Sequence, residues 1–243
     1  MEFQLSENKV FVIRAWAVHF YTSLGLIAAF LALTAVVAQN AHLVFIFLGF
    51  ALFIDATDGT LARSWKVKQW AAEFDGRKLD DITDYINYAL IPLFFMYQFE
   101  LVKGWGLLAL GFALIAAAYG FCQNSAKTDD GYFTGFPNFW NIVVFYLYLL
   151  KVDSTLSAII IVICSLLIWV PIKYLSFSTK PLRNVSRVLT VLYGVVLLAI
   201  MISFNDPPKI ILWGSLIFPA YYILASIYLT LTPKHHKVTP DAG

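Results

Sequence analysis

Long uncharged apolar runs alternate with short polar segments along almost the whole of this chain. A helix that crosses a bilayer needs about 20 mostly apolar residues, since only internal bonding satisfies its backbone in hydrocarbon. Runs that meet or approach that length predict spans over Ala17–Gln39, Leu43–Thr60, Asp80–Phe99, Gly104–Cys122, Phe136–Leu150, Ser154–Ile172, Val188–Phe204 and Ile210–Leu231. The fifth is short and can extend in either direction. The pattern therefore predicts an all-α, multi-pass transmembrane helical bundle of about eight spans. No internal repeat, low-complexity tract or long linker divides the chain, so residues 1–243 are expected to form one integral membrane domain.

Composition strengthens that reading. Of the 243 residues, 60% are hydrophobic and 13% charged. A soluble domain carries about 25% charged residues. The net charge of +2 matters less than where the charges fall. With the amino terminus in the cytoplasm, the inside segments hold fourteen basic residues, and the outside loops hold only Lys103, Lys151 and Lys209. That bias predicts both termini inside. The first apolar run is too long for a cleavable signal peptide and lacks a small-residue cleavage site. Cys122 and Cys164 sit in apolar runs without metal-type spacing and read as small core residues. His235 and His236 lie in a polar tail and read as solvated.

Polar side chains at membrane depth are costly and usually functional. Here they gather in two segments. The second span ends Asp55-Ala-Thr-Asp58-Gly59-Thr-Leu-Ala62-Arg63, and the third begins Gly76-Arg-Lys-Leu-Asp80-Asp81-Ile-Thr-Asp84. Spacings of three and four put Asp55 with Asp58, and Asp80 with Asp84, on shared helix faces. Consecutive helices are usually neighbours, so four carboxylates are expected to converge at the cytoplasmic boundary. Their mutual repulsion calls for hard divalent cations, Mn²⁺ or Mg²⁺, which prefer carboxylate and phosphate oxygens. Such a cage beside Arg63 suits a reaction on a lipid pyrophosphate. Gly59 and Gly76 would let backbone approach the phosphates or nucleotide closely. The plainer alternative makes the aspartates helix-end caps paired with Arg63, Arg77 and Lys78. Asp81 points to another face and reads as solvated or capping.

These residues match the pattern DxxDGxxAR followed by GxxxDxxxD at every specified position, and so resemble the CDP-alcohol phosphatidyltransferase family. Twelve residues separate Arg63 from Gly76, more than is usual in the family. That gap, the segment His19-Phe-Tyr-Thr22-Ser23-Leu-Gly25, the segment Gly135-Phe136-Pro137-Asn138-Phe139-Trp140-Asn141 and the high span number resemble its bacterial choline-using branch. The resemblance implies a catalytic domain in a bacterial inner membrane, active on the cytoplasmic side. It implies two divalent cations on Asp55, Asp58, Asp80 and Asp84, with Asp84 also the base for the acceptor hydroxyl. The implied substrates are CDP-diacylglycerol and choline. Homodimers are common in the family, and nucleic acid is not an expected partner.

Gly59, Ala62, Arg63 and Gly76 resemble positions that hold the CDP moiety. Thr22 and Ser23 either add hydroxyl contacts to it or bond back to a helix carbonyl. A quaternary ammonium donates no N–H bond and is held by aromatic faces. Tyr21, Tyr85, Tyr88, Phe136 and Trp140 are candidates, as is His19, which otherwise satisfies itself at the helix end. Lys173, Lys180, Arg183 and Arg187 would attract anionic lipid headgroups, or simply anchor the chain on its positive side. Two rival readings stay open. Another acceptor such as serine, inositol or glycerol phosphate is the nearer one. An ion-coupled transporter is remoter, because transporter sites lie near the bilayer midplane within repeated halves.

Overall fold

In the computed structural model, residues 2–123, 132–175 and 183–232 are described. They form two compact units. The first unit comprises residues up to Gln123 together with Asn138–Leu166, and the second comprises the remainder.

Unit one opens with α1 (Glu2–Val37), a helix of about 54 Å at 1.5 Å per residue. It begins fifteen residues before the predicted span, because hydropathy reports where a bilayer fits and not where helical bonding starts. α2 (Ala41–Ser64) returns antiparallel to α1 after a tight turn. Gln39 takes a left-handed φ of 56°, and the Asn40 and Gln39 amides bond the Ala35 and Val36 carbonyls. Such a turn closes a helix end by satisfying its last carbonyls. The Asn40 side chain then accepts from Leu43 N at 3.1 Å and caps α2.

Many of the buried positions on these two helices are small: Ala28, Ala29, Ala32 and Ala35 on α1, and Ala41 and Ala51 on α2. Small side chains let helices approach where lipid removes the hydrophobic drive to associate. The outward faces carry large apolar residues instead, among them Phe20, Phe30, Phe53, Leu108 and Ile115. An exposed surface of that kind belongs against lipid.

A short α3 (Val67–Trp70) follows α2, and then a continuous rod made of α4 (Gly76–Asp84), a π-helical segment (Tyr85–Leu90) and α5 (Ile91–Gln98). α6 (Gly106–Cys122), α7 (Trp140–Leu149) and most of α8 (Ser154–Trp169) complete the unit. The predicted fifth span began at Phe136, but its helix starts only at Trp140. Gly135 and Asn138 both have left-handed φ and Pro137 lacks an amide proton, so the preceding segment stays extended. At ten residues α7 is too short to cross a bilayer alone, whereas α1 and α2 are long and apolar enough.

Unit two contains a two-residue antiparallel ladder of β1 (Phe133–Thr134) and β2 (Lys173–Tyr174), then α9 (Arg183–Ile202), α10 (Lys209–Ser215) and α11 (Ile217–Leu231). α9 starts five residues earlier than expected. α9 and the nearly continuous α10–α11 rod are also long and apolar enough to span. A polar stripe on α11 clasps β2: Thr230 Oγ1 accepts from Lys173 N at 2.8 Å, Ser226 Oγ from Leu175 N at 3.3 Å, and Tyr222 OH donates to Leu175 O at 2.8 Å. Spacing by four stacks those three hydroxyls on one face, where they satisfy backbone groups the short ladder leaves open.

Candidate active site

The buried face of α2 runs through Ala41, Val44, Phe45, Leu48, Ala51 and Ile54, recurring every three or four residues. Asp55 and Asp58 continue that stripe by one turn, so two carboxylates follow the apolar residues inward. Asp58 is 6% exposed. The twelve residues after Arg63 are a folded device. α3 docks on α1 through Val67 and Ala71 against Ala15 and Val18, with Ala62 and Leu61 packed alongside. Phe11 and Trp70 stack at 4.9 Å, and Asp75 caps α4 by accepting from Lys78 N at 3.1 Å. This turn brings α4 back beside α1, with Asp80 and Asp84 on one face.

One carboxylate oxygen each from Asp55, Asp80 and Asp84 lies within 4.8 Å of the other two. These three and Asp58 line one cavity together with Thr22, Ala51, Ile54, Thr83, Asn87 and Tyr88. Two of the acids have dedicated donors. Thr22 Oγ1 donates to Asp58 Oδ2 at 2.7 Å, and Tyr88 OH donates to Asp55 Oδ2 at 2.7 Å. Bonds to a charged acceptor at this length fix carboxylate orientation. The donor set is all oxygen and strongly acidic, which suits Mg²⁺ or Mn²⁺ and not a soft metal.

Tyr88 reaches Asp55 because the helix widens at Tyr85–Leu90. The Ile91 amide bonds the Ile86 carbonyl, five residues back. Pro92 has no N–H for the Tyr88 carbonyl, and its ring would crowd that carbonyl in an ordinary α-turn. A π-turn relieves both problems, and such turns concentrate at functional sites. Asn87, in the same segment, donates from Nδ2 to Gly25 O and to Thr83 O, each at 3.0 Å. Gly25 admits this approach: a Cβ there would lie 2.6 Å from Thr83 Cγ2.

The remaining predicted residues are placed as follows. Ser23 donates to His19 O at 2.8 Å, the back-bonded alternative. Arg63 folds over Gly59 and donates to Thr60 Oγ1 at 3.1 Å; a Cβ on Gly59 would sit 3.4 Å from Arg63 Nη1. Gly76 faces His19, whose Cε1 would lie 2.5 Å from an added Cβ. The His19 ring packs at 4.5 Å from Phe74 and 5.8 Å from Trp16. Tyr21 OH shares a 2.8 Å hydrogen bond with Thr57 Oγ1. Tyr85 turns to α6, with its hydroxyl directed at Leu114 O and its ring against Phe121. Trp140 is fully buried and donates to Asn138 Oδ1 at 3.2 Å.

Phe136 belongs to unit two, where it packs edge-on at 6.4 Å from Tyr174. Lys173 sits over the Tyr132 ring at 5.3 Å, and Arg187 is exposed on α9. Lys180, the Arg183 side chain, His235 and His236 lie outside the described residues. Cys164 is half-buried and Cys122 exposed on the α6 surface, so Cys122 is not the core residue expected. Thr22, expected at the nucleotide or back-bonded to its helix, and Tyr88, a candidate for the quaternary ammonium, instead serve the carboxylates, and Asn87 and Thr83 join them without being sequence candidates. The available signal was Pro92, four residues beyond Tyr88 in an otherwise helical run.

Residues 17–171 match the sequence profile of the CDP-alcohol phosphatidyltransferase family. The chain is similar over most of its length to proteins named phosphatidylcholine synthase. That of Borreliella burgdorferi is 36% identical over 228 residues, covering 92% of this chain and 97% of that protein. That of Legionella pneumophila is 33% identical, with 93% of each covered. That of Rhizobium meliloti is 31% identical, covering 91% of this chain and 93% of that protein.

Proposed function

The chain belongs to the CDP-alcohol phosphatidyltransferase family, and on that premise we propose that it transfers the phosphatidyl group of CDP-diacylglycerol to the hydroxyl of choline, giving phosphatidylcholine and CMP. The observation that carries this is the convergence of Asp55, Asp80 and Asp84 within 4.8 Å in a cavity that Asp58 also lines. The similarity over more than nine-tenths of the chain to phosphatidylcholine synthases supports choline as the acceptor.

Asp55, Asp58, Asp80 and Asp84 would hold two divalent cations, Mn²⁺ or Mg²⁺. When bound, these supply positive charge against the pyrophosphate and the departing CMP. Thr22 and Tyr88 keep Asp58 and Asp55 aimed through their 2.7 Å bonds, so the two acids would be oriented before an ion binds. Arg63, at the same end of α2, adds a fixed charge for the nucleotide phosphates. An alcohol is a poor nucleophile until its proton has an acceptor in reach. Asp84 takes that proton. The choline oxygen forms its bond to the phosphorus bearing diacylglycerol, and the bond from that phosphorus to the bridging oxygen breaks. CMP leaves with the electron pair. The fourteen-to-three partition of basic residues supports a cytoplasmic face for this chemistry, in the bacterial inner membrane.

The test is direct. Purified protein is incubated with CDP-diacylglycerol, Mn²⁺ and choline, serine or inositol in turn, and labelled lipid and CMP are measured. Choline is expected to yield phospholipid and an equal amount of CMP. Product from serine or inositol with none from choline would overturn the assignment.

A further inference from the structure

The cavity bounded by α1, α2, α4 and the π-helical segment has on its lining a fully buried side-chain atom that no described residue satisfies. Asn87 is 2% exposed, lines the cavity with the four carboxylates, and its Oδ1 has no hydrogen-bond partner. A buried acceptor left without a donor is costly, and native structures rarely keep one without a reason.

The amide cannot be turned round to escape this. Its nitrogen faces two carbonyl oxygens, Gly25 O and Thr83 O, and a reversed amide would set oxygen against both. No side-chain donor lining the cavity is spare either. Thr22 gives its proton to Asp58, Tyr88 gives its proton to Asp55, and Thr83 donates to Leu79 O at 2.9 Å. All other polar side chains around the cavity are carboxylates, which only accept when ionised. With those carboxylates ionised, whatever satisfies Asn87 Oδ1 brings positive charge or a proton from outside the described residues. In a cavity of this donor set a hard divalent cation does so, and amide oxygens belong to the ligands such ions take.

We infer that Asn87 is a fifth, neutral oxygen ligand of the cation site, its Oδ1 meeting a divalent ion directly or through one water molecule, the Nδ2 being pinned to α1 and α4. This deepens the proposed function and rests on its assignment of Asp55, Asp80 and Asp84 to metal. A neutral ligand adds affinity without adding to the repulsion among the acids. The latch to Gly25 also ties the position of that oxygen to α1, the helix that carries Thr22.

The test is Mn²⁺ binding to the full chain in detergent micelles without substrate, read by the loss of the free-ion electron paramagnetic resonance signal. Four proteins are compared: wild type, Asn87→Leu, Asn87→Asp and Asp80→Asn. Asn87→Leu removes the oxygen and both donors, while Asn87→Asp removes the donors and keeps an oxygen. Loss of a supporting group at a metal site typically weakens affinity about 10- to 100-fold. A loss in that range is expected for Asn87→Leu, with Asn87→Asp near or above wild-type affinity. A purely structural latch would lower the thermal stability of both Asn87 variants and leave Mn²⁺ affinity unchanged in both, which would overturn the inference. If Asn87→Leu does not fold, Asn87→Ala makes the same comparison. Asp80→Asn separates the two levels. Wild-type binding that Asp80→Asn abolishes and Asn87→Leu leaves intact refutes the Asn87 role alone. Binding indifferent to Asp80→Asn refutes the carboxylate site, and the Asn87 role falls with it.

Discussion

Replacing Gly76 by alanine tests whether this glycine serves a nucleotide or a neighbour. The added Cβ would lie 2.5 Å from His19 Cε1 and 3.0 Å from His19 Nδ1. Carbon atoms pack best at about 3.5–4.0 Å, so the ring or the start of α4 must yield by roughly 1 Å. The ring has little room, because His19 is 7% exposed and held between Trp16 and Phe74. Overpacking of this kind costs about 1–3 kcal/mol. For a chain of this size each kcal/mol lowers the unfolding midpoint by about 2–4 °C, so Gly76→Ala is expected to melt several degrees below wild type. Movement of α4 also displaces Asp80, four residues on, and choline transfer should fall with stability. The decisive assay is a double-mutant cycle with His19→Ala, by thermal melting in micelles and by initial rate. Removing the imidazole clears the space, so Gly76→Ala should then cost little. If instead Gly76→Ala raises the KM for CDP-diacylglycerol equally with or without His19, the glycine serves the nucleotide and the steric account is refuted.

Asp84→Asn should abolish CMP release while leaving the melting curve near wild type, and residual turnover above a few per cent would deny Asp84 its role as base. Tyr88→Phe deletes the donor to Asp55, so the Mn²⁺ concentration for half-maximal activity should rise about 10- to 100-fold, and an unchanged activation curve would contradict it. Thr22→Val should behave alike through Asp58, with Thr22→Ser restoring most of the loss, because only the hydroxyl is used. Pro92→Ala lets the widened turn collapse to ordinary α-helix, so the protein should melt higher yet transfer more slowly, and equal activity would show that the π-turn does not aim Tyr88.

The acidic constellation was legible because charge inside an apolar run has few explanations. Asp55 and Asp58 end one run, Asp80 and Asp84 begin the next, and the helical period aligns each pair. Their partners were harder to read. A hydroxyl at Thr22 or Tyr88 fits a substrate, a carboxylate or a helix carbonyl equally well until the facing helix is placed. The helix ends were hidden for another reason. Gln39, Glu100 and Lys151 all take left-handed φ without being glycine, so the usual stop signal is missing. The first fifteen residues of α1 carry enough polar side chains to fall below a hydropathy threshold, although helical bonding continues through them. The long gap after Arg63 shows in the sequence only as a length. That it folds as α3 against Ala15 and Val18 follows from a contact distant in sequence.

The widened turn at Tyr85–Leu90 acts on its rod as a frame shift. Asp80 and Asp84 keep one phase, and beyond the insertion Phe95 keeps another, meeting Phe45 at 5.1 Å and Tyr148 at 5.2 Å. The aromatic end and the acidic end are thereby indexed separately. Mutations that rework the former, to suit a thicker or thinner membrane, need not rotate the latter, so lipid adaptation and chemistry are free to evolve along a single helix without interfering.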